Sequence, residues 1–456
     1  MNMLKNVKKV YFIGIGGIGM SALARILLEK GYLVYGSDIK QTAITDKLKR
    51  AGAHINIGHS KKCPADIDLA VYTSCISKDN PEIKALSRRG VKIVNRGRLL
   101  AELFNKSFGI AVSGTHGKTT TSALIGHMLK FCGLDPTVAV GAEVISLGGN
   151  AVTGQSDLFV AESDESDGSF LELKSNYAVI TNIEEEHLDY YKDLAHIKAS
   201  YAAFADNVKD NGCLIACADD ANIKNLLKRY KKPITTYGFN KNADYRASNL
   251  QIRGLSTDFD CLEKEKLLNK FTLNIPGKHN VQNALAAIAI AKLLGLTVDK
   301  IKDALASYKG SLRRFEIKSD SNEIMLIEDY AHHPTEIKAT IEAARNLNPK
   351  RVIVAFQPHR FSRTKHLKLA FSSAFDKADY LIITDIYAAS EMPIKGISSQ
   401  IIYKEIKEKS KNVCYLPKDD IAEHIMKIAE IGDLIIIMGA GDIGEISNEI
   451  AQKLKK

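Results

Sequence analysis

The sequence predicts an α/β protein built as three successive units, each a mainly parallel sheet with helices on both faces. Short, nearly unbroken apolar runs such as Val10–Ile13, Gly109–Val112 and Leu434–Met438 alternate with helical stretches, the pattern of strands buried on both sides. At 456 residues the chain is too long for one ordinary domain. Two of the strand ends run into glycine-rich turns, Gly14–Gly19 and Gly114–Gly117, and each turn opens a helix.

In the first unit, residues 1–106, Val10–Ile13 is a strand and the turn after it starts a helix through Leu28. Leu33–Tyr35 is the second strand, with Ser37 and Asp38 at its end, and Leu69–Tyr72 and Val91–Val94 follow. The second unit, 107–310, opens with the strand Gly109–Val112, the turn Ser113–Lys118 and a helix Thr119–Phe131 stopped near Gly133. Strands are expected at Leu158–Ala161, Tyr177–Thr181 and Leu214–Ala216. The polar stretch from Lys231 to Phe271 holds short strands whose order the sequence does not give, and Pro276 and Gly277 introduce a helix from about Val281 to Leu294. In the third unit, 311–456, strands at Ile324–Glu328, Arg351–Ala355, Tyr380–Thr384 and Leu434–Met438 alternate with helices at Thr335–Leu347, Leu367–Lys377 and Ile421–Ile431.

Composition excludes several classes. Apolar residues make up 45% and charged residues 25%, the balance of a folded chain and not of a disordered one. No apolar run approaches the ~20 residues of a membrane span. The start passes from a basic segment straight into a glycine turn, unlike a secretory signal, so a cytoplasmic location without membrane insertion is expected. The net charge of +10 comes from lysines interleaved with acids, without a basic block or zinc-finger spacing, so no nucleic-acid partner is expected. Seven dispersed cysteines without a Cys-x-x-Cys pair fit free thiols.

The sharpest chemical signal is GTHGKTTT, Gly114 to Thr121, between a buried strand and a helix. Gly114, Thr115, His116 and Gly117 let backbone amides turn toward a phosphate, Lys118 reaches the β/γ oxygens, and the Thr119 hydroxyl, followed by Thr120, can ligate magnesium. The loop is shorter than the common Walker pattern. In AESDESDGSF, Glu162 stands at a strand end, where a carboxylate can hold Mg²⁺; Asp164, Glu165 and Asp167 fit a solvated acidic loop equally well. His187 in TNIEEEHLDYY either caps its helix, sits against the core or is a second metal position, although magnesium prefers oxygen. The first turn, with Gly14, Gly16, Gly17 and Gly19 and with Asp38 beyond it, suits NAD or the diphosphate of a sugar nucleotide. EDYAHHPTE places Asp329, His332 and His333 before a helix, one histidine reading as a helix-start group. FQPHRFSR places His359, Arg360 and Arg363 after a strand, where arginine can grip a carboxylate or phosphate.

These motifs, with GKHNVQNALAA, RRFE and GAGDIG, resemble the Mur ligase family in order and spacing over nearly the whole chain. The resemblance implies a three-domain Mur ligase architecture: a Rossmann-like UDP-sugar-binding domain (1–106), a central P-loop ATPase domain (107–310) and a C-terminal Rossmann-like domain (311–456) completing the ATP and amino-acid sites. It implies Lys118 as the phosphate lysine and Thr119, Glu162 and His187 at magnesium sites. Asn280 and Asn283 become adenine-side residues, and Arg314 and Asp329 contact ATP phosphate or ribose. His332, His359, Arg360 and Arg363 lie near the amino acid and the reacting phosphate, with Lys118, His187, His359 and Arg360 catalytic. Some relatives carry a carbamylated lysine, whose offset Lys198 does not match.

The implied reaction is ATP-dependent ligation of L-alanine to the carboxylate of UDP-N-acetylmuramate in peptidoglycan synthesis, by a monomer or weak homodimer. A recycling ligase that attaches a ready-made peptide to the same acceptor stays open. A dehydrogenase would explain the first glycine turn but not GTHGKTTT, and a nucleotide-gated interaction protein would not need the third-unit clusters.

Overall fold

Three sheets carry the chain in the order that the apolar runs predict. The computed structural model describes residues 3–59, 63–73, 75–77, 79–409 and 412–455. The first sheet holds β1 (Lys9–Ile13), β2 (Leu33–Asp38), β3 (His54–Ile57), β4 (Leu69–Tyr72) and β5 (Lys92–Asn95), in the order β3-β2-β1-β4-β5 with every pair parallel. The chain winds outward from β1 to β3 and then crosses to β4, so the order reverses beside β1. That reversal opens a crevice at the strand ends where Gly14–Gly19 lies.

The second sheet has ten strands: β6 (Phe108–Ser113), β7 (Thr137–Val144), β8 (Gly149–Val152), β9 (Leu158–Glu162), β10 (Tyr177–Ile180), β11 (Cys213–Cys217), β12 (Ile234–Gly238), β13 (Tyr245–Arg253), β14 (Ser256–Glu263) and β15 (Lys266–Leu273). β6 lies between β9 and β10, so GTHGKTTT leaves the sheet at the second reversal point. The helix Lys118–Phe131 that follows is buried along most of its length and packs beside the alanine-rich helix Lys278–Leu293, whose small side chains permit the approach. The stretch left unordered by sequence is an antiparallel meander, β13-β14-β15, added to β12. Its strands were hard to read because one face only is covered: Phe259 and Cys261 point inward while charged neighbours alternate outward.

The third sheet comprises β16 (Glu316–Ser321), β17 (Ile324–Asp329), β18 (Arg351–Phe356), β19 (Tyr380–Ile383), β20 (Val413–Tyr415) and β21 (Asp433–Met438), ordered β16-β17-β21-β18-β19-β20. Here one expectation fails. In place of a helix Leu367–Lys377 there are two short helices, Phe361–His366 and Lys368–Phe371, followed by turns. Arg360, at φ 70°, reverses the chain and starts the helix early, and Leu367, at φ −101° and ψ 13°, interrupts it.

One hydrophobic core runs continuously through the first two sheets, joined where the helix Ile18–Glu29 packs on β7 and β8. The third sheet has its own core on each face. Its contacts with the central unit at the strand ends are polar, and they form the site described next. Among the described residues no helix is long and apolar enough to cross a membrane, and all seven cysteines are unpaired.

Candidate active site

The turn after β6 is locked from below. Thr115 N donates to Asn182 O and His116 N to Asn182 Oδ1, while Thr181 Oγ1 donates to His116 O at 2.5 Å. Gly117, at φ 79°, caps the helix from Lys118, and a Cβ there would stand 2.6 Å from Asn283 Oδ1. The first N–H groups of this helix have no carbonyl within the helix to bond, and such a helix start is the kind of place that binds an anion.

Lys118 Nζ, within this loop, donates to Gly114 O (2.6 Å), Thr115 O (3.2 Å) and Glu165 Oε1 (2.8 Å). Burial opposes its charge, but Glu165 and Asp164 outweigh that and raise its pKa. Thr119 Oγ1 donates to Glu162 Oε1 at 3.0 Å, and the other Glu162 oxygen accepts from Gly141 N at 2.6 Å. His187, at φ 54°, brings Nε2 within 3.6 Å of Glu165 Oε1. Glu165 Oε2 and His187 Nδ1 are buried with no partner among the described residues. The Thr119 hydroxyl and the Glu162 carboxylate are oxygen donors of the kind a hard cation takes. Glu165, which the sequence left open between a ligand-facing and a solvated acid, is 3% exposed and contacts Lys118 and His187.

The third unit closes one side. Arg314 Nη2 donates to Thr119 Oγ1 at 3.3 Å, and its guanidinium lies 5.0 Å over the Tyr330 ring. Asp329 accepts from Phe315 N and Ala331 N, both at 2.7 Å, and burial pushes its carboxyl up to about 6 against the pull of Arg314 and those amides. Asn280, Asn283, Arg314 and Asp329 line one cleft of about 290 Å³ together with His116, Gly117 and Thr120. Asn280 Nδ2 donates to Pro276 O, and Asn283 Nδ2 to Asn280 Oδ1.

His333 is the helix-start group: its side chain accepts from Thr335 N in a capping box with Glu336. His332 donates Nδ1–H to Tyr330 O at 3.0 Å, and its ring lies 5.6 Å from that of His359. Burial, then Arg363, holds His332 at about 3 and His359 at about 2, so both rings are neutral near pH 7. Arg363 is held by Glu186 and His359, and Arg360 Nη1 by Asp189 at 2.8 Å.

The first glycine turn stands apart from this cluster. Gly16 N donates to Asp38 Oδ2 at 2.8 Å, so Asp38 braces the turn. Gly19 gives room to Arg96, whose Nη2 donates to Asp164 at 3.0 Å and so links the turn to the Lys118 cluster. Lys198 lies part-exposed on the helix Leu194–Asp206, and none of the described contacts ties it to that cluster. Sequence reasoning missed Asn182, Glu184, Glu186, Asp189, Glu336 and Arg96. Only Asn182 carried a local signal, its place directly after a strand.

One of the missed pairs sets a pH dependence. His116 faces Glu336 Oε1 at 3.2 Å and Glu184 Oε2 at 3.4 Å. Burial opposes its charge, yet these hydrogen bonds push it up from 6.5 to about 9. A raised histidine contributes its full stability below the unfolded value and loses it as pH rises through the folded one. Relative to His116→Asn, the parent should lose no more than about 3 kcal/mol of unfolding free energy between pH 6.5 and about pH 9.5. A difference that does not change with pH in urea titrations would show that His116 is not held charged.

Known proteins resemble the chain along nearly its whole length. A family model described as the Mur ligase middle domain matches residues 112–291, one described as Mur ligase family, catalytic domain, matches 9–108, and one described as Mur ligase, glutamate ligase domain, matches 313–441. A protein of Geotalea uraniireducens named UDP-N-acetylmuramate–L-alanine ligase is 43% identical over 455 residues, 99% of each chain. The crystal structure of a UDP-N-acetylmuramate-alanine ligase from Thermotoga maritima superposes with a TM-score of 0.85 at 31% identity, covering 98% of both chains. A murein peptide ligase of Psychrobacter arcticus shares the fold, with a TM-score of 0.75 at 24% identity over 98% of this chain and 99% of its own. A glycine-turn lysine set among acids, a hydroxyl–carboxylate pair beside it and a third sheet docked through arginines are found in a chain matched along nearly its full length, and the chain belongs to the Mur ligase family.

Proposed function

We propose that the protein joins L-alanine to the muramyl carboxylate of UDP-N-acetylmuramate, with ATP converted to ADP and phosphate, as a step of peptidoglycan synthesis. The observation that carries this reading is the full-length similarity to alanine-adding ligases, together with Lys118, Thr119 and Glu162 at the β6 reversal point. In this reading residues 1–106 take the UDP-sugar through Gly14, Gly16, Gly17, Gly19 and Asp38. Residues 107–310 take ATP, and 311–456 complete the ATP and amino-acid sites. The enzyme works in the cytoplasm as a monomer or weak homodimer.

A carboxylate and an amine do not condense directly, because oxide would have to leave. The muramyl carboxylate first attacks the γ-phosphorus of ATP, giving an acyl phosphate and ADP. The neutral amine of alanine then attacks the carbonyl, and the tetrahedral intermediate expels phosphate and leaves an amide. Lys118 balances the charge that develops on the transferring phosphoryl group, and the amides at the helix start hold its oxygens. To do so Lys118 exchanges Glu165 for phosphate. Thr119 and Glu162, with His187 alongside, would hold Mg²⁺, which supplies charge neutralisation at the phosphates when bound. Asn280 and Asn283 flank the adenine side, and Arg314 and Asp329 the phosphate and ribose side. His332, Arg360 and Arg363 form the amino-acid site. Docking of the third unit excludes water and aligns the amine.

A coupled ADP-release assay offering L-alanine, glycine, L-serine and the recycled tripeptide, with mass analysis of the product, tests the reading. Alanine should give the highest kcat/KM, and product from the tripeptide alone would replace this function by recycling. Thr119→Ala and Glu162→Ala should each raise the magnesium concentration for half-maximal rate by roughly tenfold or more, since each removes one oxygen ligand. Unchanged magnesium titrations would exclude those roles.

A further inference from the structure

Glu184, His333 and the imidazole of His116 take no part in the steps above, yet they meet where the glycine loop after β6 touches the third unit. Among the described residues, these three form a trio whose ligating atoms lie within 4.8 Å of one another. His116 Nε2 is 3.4 Å and His333 Nδ1 3.8 Å from Glu184 Oε2, and the two imidazole centroids are 4.4 Å apart. In a tetrahedral zinc site with bonds of about 2.1 Å, neighbouring donor atoms stand about 3.4 Å apart. Both distances to Glu184 are close to that spacing. The trio is also held from behind. Glu184 N donates to Thr115 Oγ1 at 2.8 Å, and Glu184 Oε2 accepts from Thr335 Oγ1 at 2.7 Å. His116 Nδ1 faces Glu336 Oε1 at 3.2 Å, while the other Glu336 oxygen accepts from His332 N and His333 N. A carboxylate behind one ring nitrogen fixes the tautomer and leaves the other nitrogen for an ion, as in carboxylate–histidine–zinc triads. His333 Nδ1 accepts from Thr335 N at 3.2 Å, a long bond that an ion at that nitrogen would replace.

We propose that His116, Glu184 and His333 form a site for Zn²⁺ that cross-links the central and third units, and that zinc inhibits the enzyme through it. Two imidazoles and one carboxylate favour zinc over magnesium, which takes oxygen, and three protein ligands leave a fourth position for water. Binding replaces the Nε2 proton of His116, which passes to solvent, while Nδ1–H stays with Glu336. The site shares no residue with Thr119, Glu162 and His187. His116 and Glu184 line the cleft assigned above to ATP, and His333 comes from the third unit, so the ion pins one wall of that cleft to the third unit. Inhibition follows because the nucleotide enters and leaves between these two units. Only this last step rests on the ligase reading.

Zinc affinity is measured on the full chain in millimolar magnesium without nucleotide, by competition with a chromophoric zinc chelator. The parent is compared with Glu184→Gln, His333→Asn and His187→Asn. Asparagine at 333 keeps a side-chain cap for the helix and removes the nitrogen ligand. The parent should take up zinc at micromolar concentration and melt at a higher temperature with it. Glu184→Gln and His333→Asn should each bind that ion roughly tenfold or more weakly and lose the zinc-dependent rise in melting temperature, whereas His187→Asn should keep both. No uptake by the parent, or parental uptake by Glu184→Gln and His333→Asn, overturns the site. ADP release, with each variant measured against its own zinc-free rate, reads the inhibition. Zinc should slow the parent at concentrations that leave the rate of His333→Asn unchanged. Equal inhibition of the two, or none, overturns the inhibitory role. Absence of ADP release by the zinc-free parent would defeat the ligase reading, and the affinity and melting measurements would then decide the site alone.

Discussion

Lys118→Ala should reduce ligation at least 10²- to 10³-fold, because one charged donor at the transferring phosphoryl group is worth about 3 kcal/mol or more in a closed site. The structure adds a second consequence. Glu165 is 3% exposed and takes Lys118 as its cationic partner, so the single variant leaves a buried carboxylate beside Asp164. Breaking such a pair from one side costs about 3–5 kcal/mol. Lys118→Ala should therefore melt below the parent, whereas Lys118→Ala with Glu165→Gln should recover most of the stability and none of the activity. Thermal melts alongside ADP release separate the two effects. Near-parental turnover in the folded single variant would remove Lys118 from catalysis.

Gly114→Ala is expected to have the next largest effect. Gly114 has φ 139°, and a Cβ built there would clash with Thr181 Oγ1 and stand 3.0 Å from Thr181 N and 3.1 Å from Asn182 N. These backbone atoms close the end of β10, and Thr181 and Asn182 hold the loop in place. Backbone strain of about 1–3 kcal/mol and overpacking of about 1–3 kcal/mol should combine into a fall in stability and a large rise in the ATP KM. Gly133→Ala is the matched comparison: its φ is 83°, but nothing lies within 4 Å of the added carbon. It should cost only the backbone preference, about 1 kcal/mol, and leave the ATP KM unchanged. Equal effects from the two substitutions would mean that contact with Thr181 does not shape the loop.

Strands buried on both faces such as β4, β17 and β21 were legible because an apolar run needs no partner to be recognised, although the largely buried β7 and β8 were missed. β14 escaped because its outward residues are charged and its pairing with β13 and β15 is antiparallel. The interrupted helix after Arg360 escaped because a positive φ at an arginine has no signature in composition. In the site, residues next to a strand end were legible: Lys118, Thr119, Glu162, Asp329 and His359 each follow or end an apolar run. Glu165 was legible only as one acid among several, since a buried carboxylate and a solvated one look alike in a charged loop.

The sequence by itself determined the three α/β units, the glycine loop after β6 and the family, because strand periodicity, glycine turns and motif order are local properties of the chain. Tertiary structure alone decided the partners. Arg363 meets Glu186 across 177 residues, His116 meets Glu336 across 220, and Arg96 meets Asp164 across 68. An arginine has the same local pattern whether its guanidinium meets water or a buried carboxylate. What separates Arg363 from Arg360 is the removal of water around one ion pair and not the other, and that depends on which surfaces the fold brings together.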